Sequence, residues 1–343
     1  MKKRQLAAGL SLCTAILAGS ACADRVPWKL VTYPGSSMKV VTNDVWAAEA
    51  VDVDASKKTF ALRGFYHGSG VLDLTKIKED TGYSPVRMGM ITWVDTSQLK
   101  AEKAIDRKAI TEIIMADEVE TTTKQVYMNA ENLGRIVCGA NMREIGEKAF
   151  AFNQDAQGKN TYKSVLSNVV LSASLETVGL EAFSGCTNLT QAAFPAGLQS
   201  VKDKAFFRCP IEGEAILSIP YIGANAFCGN RFSSLTLAEG VTNVGERAFL
   251  SASALETLAP FPSTLESIGS ACFDTYDDLA AKSWPGPTGV VDFAACTKLR
   301  ELPNSVFFAN GRITEVRLPP GVTSIGTEIF RNCRSLVVPR ATM

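Results

Sequence analysis

Apolar and polar positions along this chain fall into a register that returns every 20 to 25 residues. Its clearest mark is a hexapeptide, Ile145-Gly146-Glu147-Lys148-Ala149-Phe150, which recurs with its Phe at 183, 206, 227, 249, 273 and 330. The steps Tyr127 to Phe150, Phe183 to Phe206 and Phe307 to Phe330 are each 23 residues long and share seven apolar offsets. In the last step these are Ile313, Val316, Leu318, Val322, Ile325, Ile329 and Phe330. A period of this length predicts a solenoid whose units bury their apolar residues only by stacking. The run Ile313 to Pro319 alternates apolar and polar residues and ends in Pro, which predicts a short strand stopped where a ladder donor is missing. Similar strands are expected near Ile110, Leu133, Leu166, Leu189, Phe232, Leu255, Val290 and Leu336. The Gly after each Val or Ile reads as a tight turn needing backbone freedom. The Ala-Phe pair then turns inward and fills the coil.

The motif Ile313-x-x-Val316-x-Leu318-Pro319, Val322-x-x-Ile325-Gly326-x-x-Ile329-Phe330-x-x-Cys333 resembles the BspA-type leucine-rich repeats of bacterial surface proteins. The likeness runs over about residues 104–343 and departs from the pattern at Lys202 and Pro303, where Gly is expected. It implies an α/β repeat solenoid, right-handed and built mostly of short strands and turns, with an N-terminal cap region. The family's association with adhesion implies a non-catalytic protein binding host or bacterial surface proteins.

Residues 24–103 lack the clean register and read as a cap or small β-rich domain, or as divergent repeats. Lys39–Thr42 and Val51–Val53 alternate like strands, Arg87–Val94 is a further candidate, and Phe65–Gly68 with Val71–Leu74 reads as a decayed repeat. The solenoid then occupies 104–343. The steps from Phe150 to Phe183 and from Phe273 to Phe307 are 33 and 34 residues long. Their extra residues, within 151–165 and 274–289, share one phase and should project from one side, which is where solenoids often bind. Tyr162 and Trp284 lie in these insertions and are candidate ligand contacts. The alternative reading, to which the residues lean, is that they are parts of tolerated surface loops. The outward strand positions, among them Thr190, Gln191, Thr257, Thr314 and Arg317, form a second candidate surface, polar and poor in aromatic anchors.

Residues 1–23 read as an export signal: Lys2-Lys3-Arg4, an apolar run from Leu6 to Leu17, then small residues. The run is too short for a membrane span, and no other stretch is long and apolar enough. Cleavage after Ala23 competes with lipidation of Cys22 in a loose Gly19-Ser20-Ala21-Cys22 lipobox. Removing the leader leaves 32 basic and 35 acidic residues, so no basic excess points to nucleic acid. The location expected is the cell envelope, the outer surface or the medium.

Seven of the nine cysteines lie beyond Cys22. Cys186, Cys209 and Cys333 each follow a repeat Phe by three, which favours buried thiols used as small apolar residues. Adjacent coils nonetheless come close enough for Cys186 and Cys209 to pair in an exported protein. No CxxC, HExxH, Gly-x-Ser-x-Gly or phosphate loop is present, the one histidine, His67, sits beside Gly68 in a turn-like segment, and no metal or cofactor is expected. A glycan-binding protein and a hydrolase with spatially paired carboxylates are the other readings the sequence leaves open. Mass spectrometry of the native amino terminus separates the two leader fates: a lipidated Cys22, or an unmodified start at Asp24.

Overall fold

The computed structural model describes residues 26–32, 37–43, 45–67, 69–89, 110–153, 163–277, 282–283 and 286–337. The Leu, Ile and Val positions read from the sequence line the interior of a parallel β-solenoid. Its repeat rings form one column. Tyr127, Phe150, Phe183, Phe206, Phe227, Phe249, Phe273, Phe307 and Phe330 stack in that order, with centroids 5.1 to 5.9 Å apart and planes within 13° of parallel. The two long steps do not disturb the column: Phe150–Phe183 and Phe273–Phe307 are 5.2 and 5.3 Å apart. Each neighbouring pair adds about 0.5–1.5 kcal/mol to the burial of its rings.

Two ladders flank the column. One is made of two-residue strands that begin the hexapeptide: Thr121–Thr122, Glu144–Ile145, Thr177–Val178, Ser200–Val201, Tyr221–Ile222, Asn243–Val244 and Ser267–Ile268 pair in parallel. The other carries the longer strands and is the outward sheet face. It falls into three groups: Gly70–Asp73 to Gln191–Ala192, Glu212–Leu217 to Thr257–Leu258, and Gly289–Asp292 with Ile313–Arg317. The decayed repeat at 71–74 is thus the first rung of this face, pairing in parallel with Ile110–Ile114. Upstream, strands 29–32, 39–42, 47–54 and 59–67 form an antiparallel meander. Its last strand pairs in parallel with Ser84–Gly89 and so joins the two-residue ladder. Ile77–Thr81 is the one α-helix among the described residues, so the body is strands and turns.

Several local expectations need correction. The hexapeptide glycines do not take positive φ. A Cβ at Gly146 would stand 2.5 Å from the Thr122 carbonyl oxygen, at Gly179 2.7 Å from that of Ile145, and at Gly245 2.5 Å from the Ala224 nitrogen. The glycine is therefore required by the close approach of the preceding coil's backbone. The left-handed residue is two places later. Gln125, Lys148, Glu181, Lys204, Asn225, Arg247, Ala271, Ser305 and Glu328 all have φ between 52 and 58°. A second left-handed position follows four residues on, at Asn129, Gly185, Arg208, Gly229, Ser251, Ala309 and Asn332. Its two missing members, Phe152 and Thr275, mark where the insertions leave the coil. Leu336 and Val337 form no strand, although Val337 N–H donates to the Thr314 carbonyl at 3.0 Å. His67 ends the strand Thr59–His67 and does not sit in a turn. Part of the Arg87–Val94 candidate is realised in Ser84–Gly89, and its remainder lies outside the described residues.

At Pro303 the two-residue ladder breaks. Gly245 and Gly269 N–H donate to the previous coil at 2.7 and 2.8 Å, and Pro303, lacking an N–H, cannot make that bond. Glu301–Leu302 accordingly pairs only with Ser324–Ile325.

The seven cysteines beyond Cys22 are free and buried. Cys209 and Cys333 thiols donate to the carbonyls of Phe183 and Phe307, each at 3.1 Å. The buried Asn310 fills the same repeat position, and its amide donates to the Phe273 carbonyl at 2.7 Å. In these coils the position holds a small donor that reaches the preceding coil, whereas Ala130 and Ala252 fill it elsewhere and Asn230 donates to the Phe227 carbonyl of its own coil. Burial pushes the Cys138 thiol up to about 12 and the Cys333 thiol up to about 11. In the unfolded chain these thiols ionise near ~8.5. Their contribution to stability is therefore complete below that pH and is lost as pH rises towards 11–12.

Three measurements check this account. Phe249→Ala should cost about 3–5 kcal/mol in a urea melt; a loss below about 1 kcal/mol contradicts the column. Gly245→Ala, aimed at backbone, should cost about 1–3 kcal/mol or more, whereas Gly197→Ala, whose Cβ meets nothing closer than 3.6 Å, should stay within about 0.5 kcal/mol. Thiol titration of the mature chain should find seven reactive groups in denaturant beyond Cys22 and almost none at pH 8 without it, with stability declining above about pH 9.

Candidate interaction face

The repeat consumes its shared side chains in packing: the repeat Phe, the Ala before it and the Leu or Ile of each strand are buried almost throughout. What remains outward on the long strands differs from coil to coil. Gln191 is exposed, and its Oε1 accepts from Asn168 Nδ2 at 2.8 Å. Thr190 is half-buried just before that strand, and its carbonyl accepts from Glu212 N–H at 3.0 Å. Thr257 and Thr314 are exposed. Arg317 is exposed but engaged: its Nε donates to Glu315 at 2.8 Å and its Nη1 to Asp292 at 3.0 Å. Glu315 foremost, then Asp292, raises its pKa. An arginine held in this fork is less available as a binding anchor than its sequence position implies. Tyr162, Trp284 and Cys22 lie outside the described residues. The second insertion does form an antiparallel pair, Tyr276–Asp277 with Lys282–Ser283.

The structure does not gather the sequence candidates into one hydrogen-bonded sheet. Thr190 and Gln191 belong to the first group of strands, Thr257 to the second, and Thr314 and Arg317 to the third. Between the first two groups lies a cleft of about 240 Å³, bordered by Ala193, Phe194, Glu212, Glu214, Ile216 and Phe232. Phe194 shapes it. Its ring turns inward and meets Phe206 and Phe227 edge-on, at 5.3 Å and 85–86°. The chain then reaches Pro195, and the strand ends at Ala192. On the far side Ile216 is 71% exposed, more than almost any other large apolar residue described.

Sequence reasoning missed this cleft because the coil between Phe206 and Phe227 is only 21 residues long and its strand could not be registered. The signal was present in Glu212-Gly213-Glu214-Ala215-Ile216-Leu217, an alternation in which Ile216 falls on the outward phase.

As chemistry, the face offers hydrogen-bonding and ionic groups at its surface. Asp54 and Glu239 have carboxyl pKa values lowered by hydrogen bonds, from the Ser56 side chain and the Ser263 backbone first. A general acid needs the opposite shift. Among the described residues no three His, Cys, Asp or Glu side chains group as a metal site, and no helix is long and apolar enough to cross a membrane.

The model of the BspA-type leucine-rich repeat region matches six copies over residues 74–157, 158–280 and 288–338. The chain belongs to that family of repeat proteins. It is also similar in structure to a leucine-rich cell surface protein from Faecalibacterium prausnitzii, at 16% identity over 87% of this chain and 93% of that one, TM-score 0.36. The pneumococcal vaccine antigen PcpA is 14% identical over 87% and 80% of the two chains, with TM-score 0.37. A leucine-rich repeat protein from Bacteroides ovatus is 14% identical over 93% of each chain, with TM-score 0.31. A comparison with curated proteins finds no match.

Proposed function

We propose that this chain is a non-catalytic protein of the cell surface or the medium that mediates adhesion through protein–protein contact. The observation that carries this reading is the division of labour within each coil. Residues shared between coils are buried in the ring column and the ladders, which leaves the outward strand positions, Gln191, Thr257 and Thr314 among them, exposed and different from one another. A face built this way holds its backbone rigid while its side chains vary, an arrangement suited to recognising an extended surface. Membership in the BspA-type family supports the same reading. The export signal expected at 1–23 would deliver the chain to such a surface.

The face is polar, and the cleft beside Glu212–Leu217 lies below the ~300–1,000 Å³ typical of small-molecule pockets. A macromolecular partner therefore fits better than a small substrate. Surface plasmon resonance of the mature chain against matrix proteins and bacterial surface proteins should give saturable binding. A triple variant, Gln191→Ala, Thr257→Ala and Thr314→Ala, should weaken it at least tenfold with an unchanged melting curve. Absence of binding to every member of the panel overturns the reading.

A further inference from the structure

The cleft is more than a dent, because the strand beside it has an unpaired edge. Glu212–Leu217 pairs along its length with Arg231–Leu237. Towards the preceding coil it makes one backbone bond, Glu212 N–H to the Thr190 carbonyl at 3.0 Å, and then diverges. In a parallel ladder alternate residues address alternate neighbours. The Ile211 and Leu217 carbonyls accept from Arg231 and Ala238 N–H, at 2.9 and 2.8 Å, so the odd-numbered residues serve the Arg231–Leu237 side. The backbone groups of Glu214 and Ile216 therefore face the gap opposite Ala192–Phe194, where no strand pairs with them. Exposed, unpaired strand edges are templates for another chain.

The side chains at this edge define what suits it. Glu212 is ion-paired with Arg231 at 2.9 Å, whereas Glu214 is exposed and has no ion pair. No basic residue borders the cleft, so its charge is negative. Ile216 projects into solvent beside Glu214, and the half-buried Phe194 ring forms apolar surface across from it. The volume of about 240 Å³ falls short of a drug-sized pocket. That is room for a side chain or two of a larger partner.

We propose that this cleft receives an extended segment of a protein partner that carries a Lys or Arg flanked by aliphatic residues. The segment's backbone pairs with Glu214 and Ile216, its cation meets the Glu214 carboxylate, and its aliphatic side chain packs on Ile216 and Phe194. The proposal deepens the protein-interaction reading and rests on it. It identifies one sub-site and the chemistry that fills it.

The test uses the mature chain and a fluorescein-labelled, acetylated octapeptide alternating Val with Lys and Thr, read by fluorescence anisotropy. Two control peptides carry Glu in place of Lys, or N-methyl groups on alternate amides. The parent peptide should bind saturably, and both controls should bind at least tenfold more weakly. Glu214→Lys should lose at least tenfold for the parent peptide and recover part of that loss with the Glu-bearing peptide. Both Glu214 and Ile216 are exposed, so Glu214→Lys and Ile216→Thr should melt like the parent protein. Equal binding of the methylated peptide overturns edge pairing, and so does no binding of any peptide. Retention of full panel binding by Glu214→Lys, with no peptide bound, removes the cleft proposal while leaving the adhesion reading intact. Loss of all panel binding by the unmutated protein removes the adhesion reading, and the peptide result then judges the cleft alone. Glycan-array binding that disappears in Glu214→Lys while no peptide binds also overturns the proposal.

Discussion

Everything in this structure depends on the spacing between adjacent coils. Parallel strands pair about 4.8 Å apart, and that distance is imposed on every group carried by the same residues. It brings the repeat rings into an offset stack with centroids 5.1 to 5.9 Å apart. It also presses the backbone after each Val or Ile so closely against the preceding coil that a Cβ does not fit at Gly146, Gly179 or Gly245. The left-handed residue two places on lets the chain turn inward and present the next ring at the same height. Ring, glycine and left-handed turn are three answers to one distance. The hexapeptide is therefore read best as a spacer that fixes pitch.

Much of this was legible in the sequence because the repeat is a packing device and packing is periodic. The column of rings, the Leu and Ile strand positions and the small buried place three residues after Phe all follow from registering the hexapeptide. What was not legible shares a cause: it depends on contacts between coils. The glycines looked like turn residues because a single coil gives them nothing to collide with. Lys148, Glu181 and Arg247 give no hint of positive φ, since neither Lys, Glu nor Arg favours that region. The cleft beside Glu212–Leu217 arises where Phe194 turns its ring between Phe206 and Phe227, a long-range event that no local alternation encodes. Cys186 and Cys209 stood close enough on paper to pair, yet the Cys209 thiol donates to the Phe183 carbonyl.

The outward face departs from a uniform sheet in ways that matter for recognition. Its three groups of strands are held by one column but do not share hydrogen bonds throughout. Arg317, attractive as an anchor in isolation, is occupied by Glu315 and Asp292. The more distinctive chemistry lies at the first break, where an unpaired edge, a free carboxylate and an exposed Ile216 occur together. Irregularity in the repeat, rather than the repeat itself, generates the feature that could discriminate between partners.

The second break has a mechanical meaning. Between the coils ending at Phe273 and Phe307 both ladders are interrupted, one at Pro303 and the other between Thr257–Leu258 and Gly289–Asp292, where the insertion after Phe273 intervenes. There the coils are joined by the ring contact and by scattered bonds such as Ala271 N–H to the Asn304 carbonyl and Phe261 N–H to the Asp292 carbonyl. A chain fixed to a surface at one end and to a partner at the other would carry load along its stacking axis. At the seam after Phe273 neither ladder is continuous, so that load falls on the ring contact and on bonds such as Phe273 N–H to the Val306 carbonyl at 2.8 Å. Stretching by atomic force microscopy would register it as an early, small rupture that frees residues 289–337 before the body yields. Interruption of both ladders at one seam thus gives the stack a place to yield before its ends do.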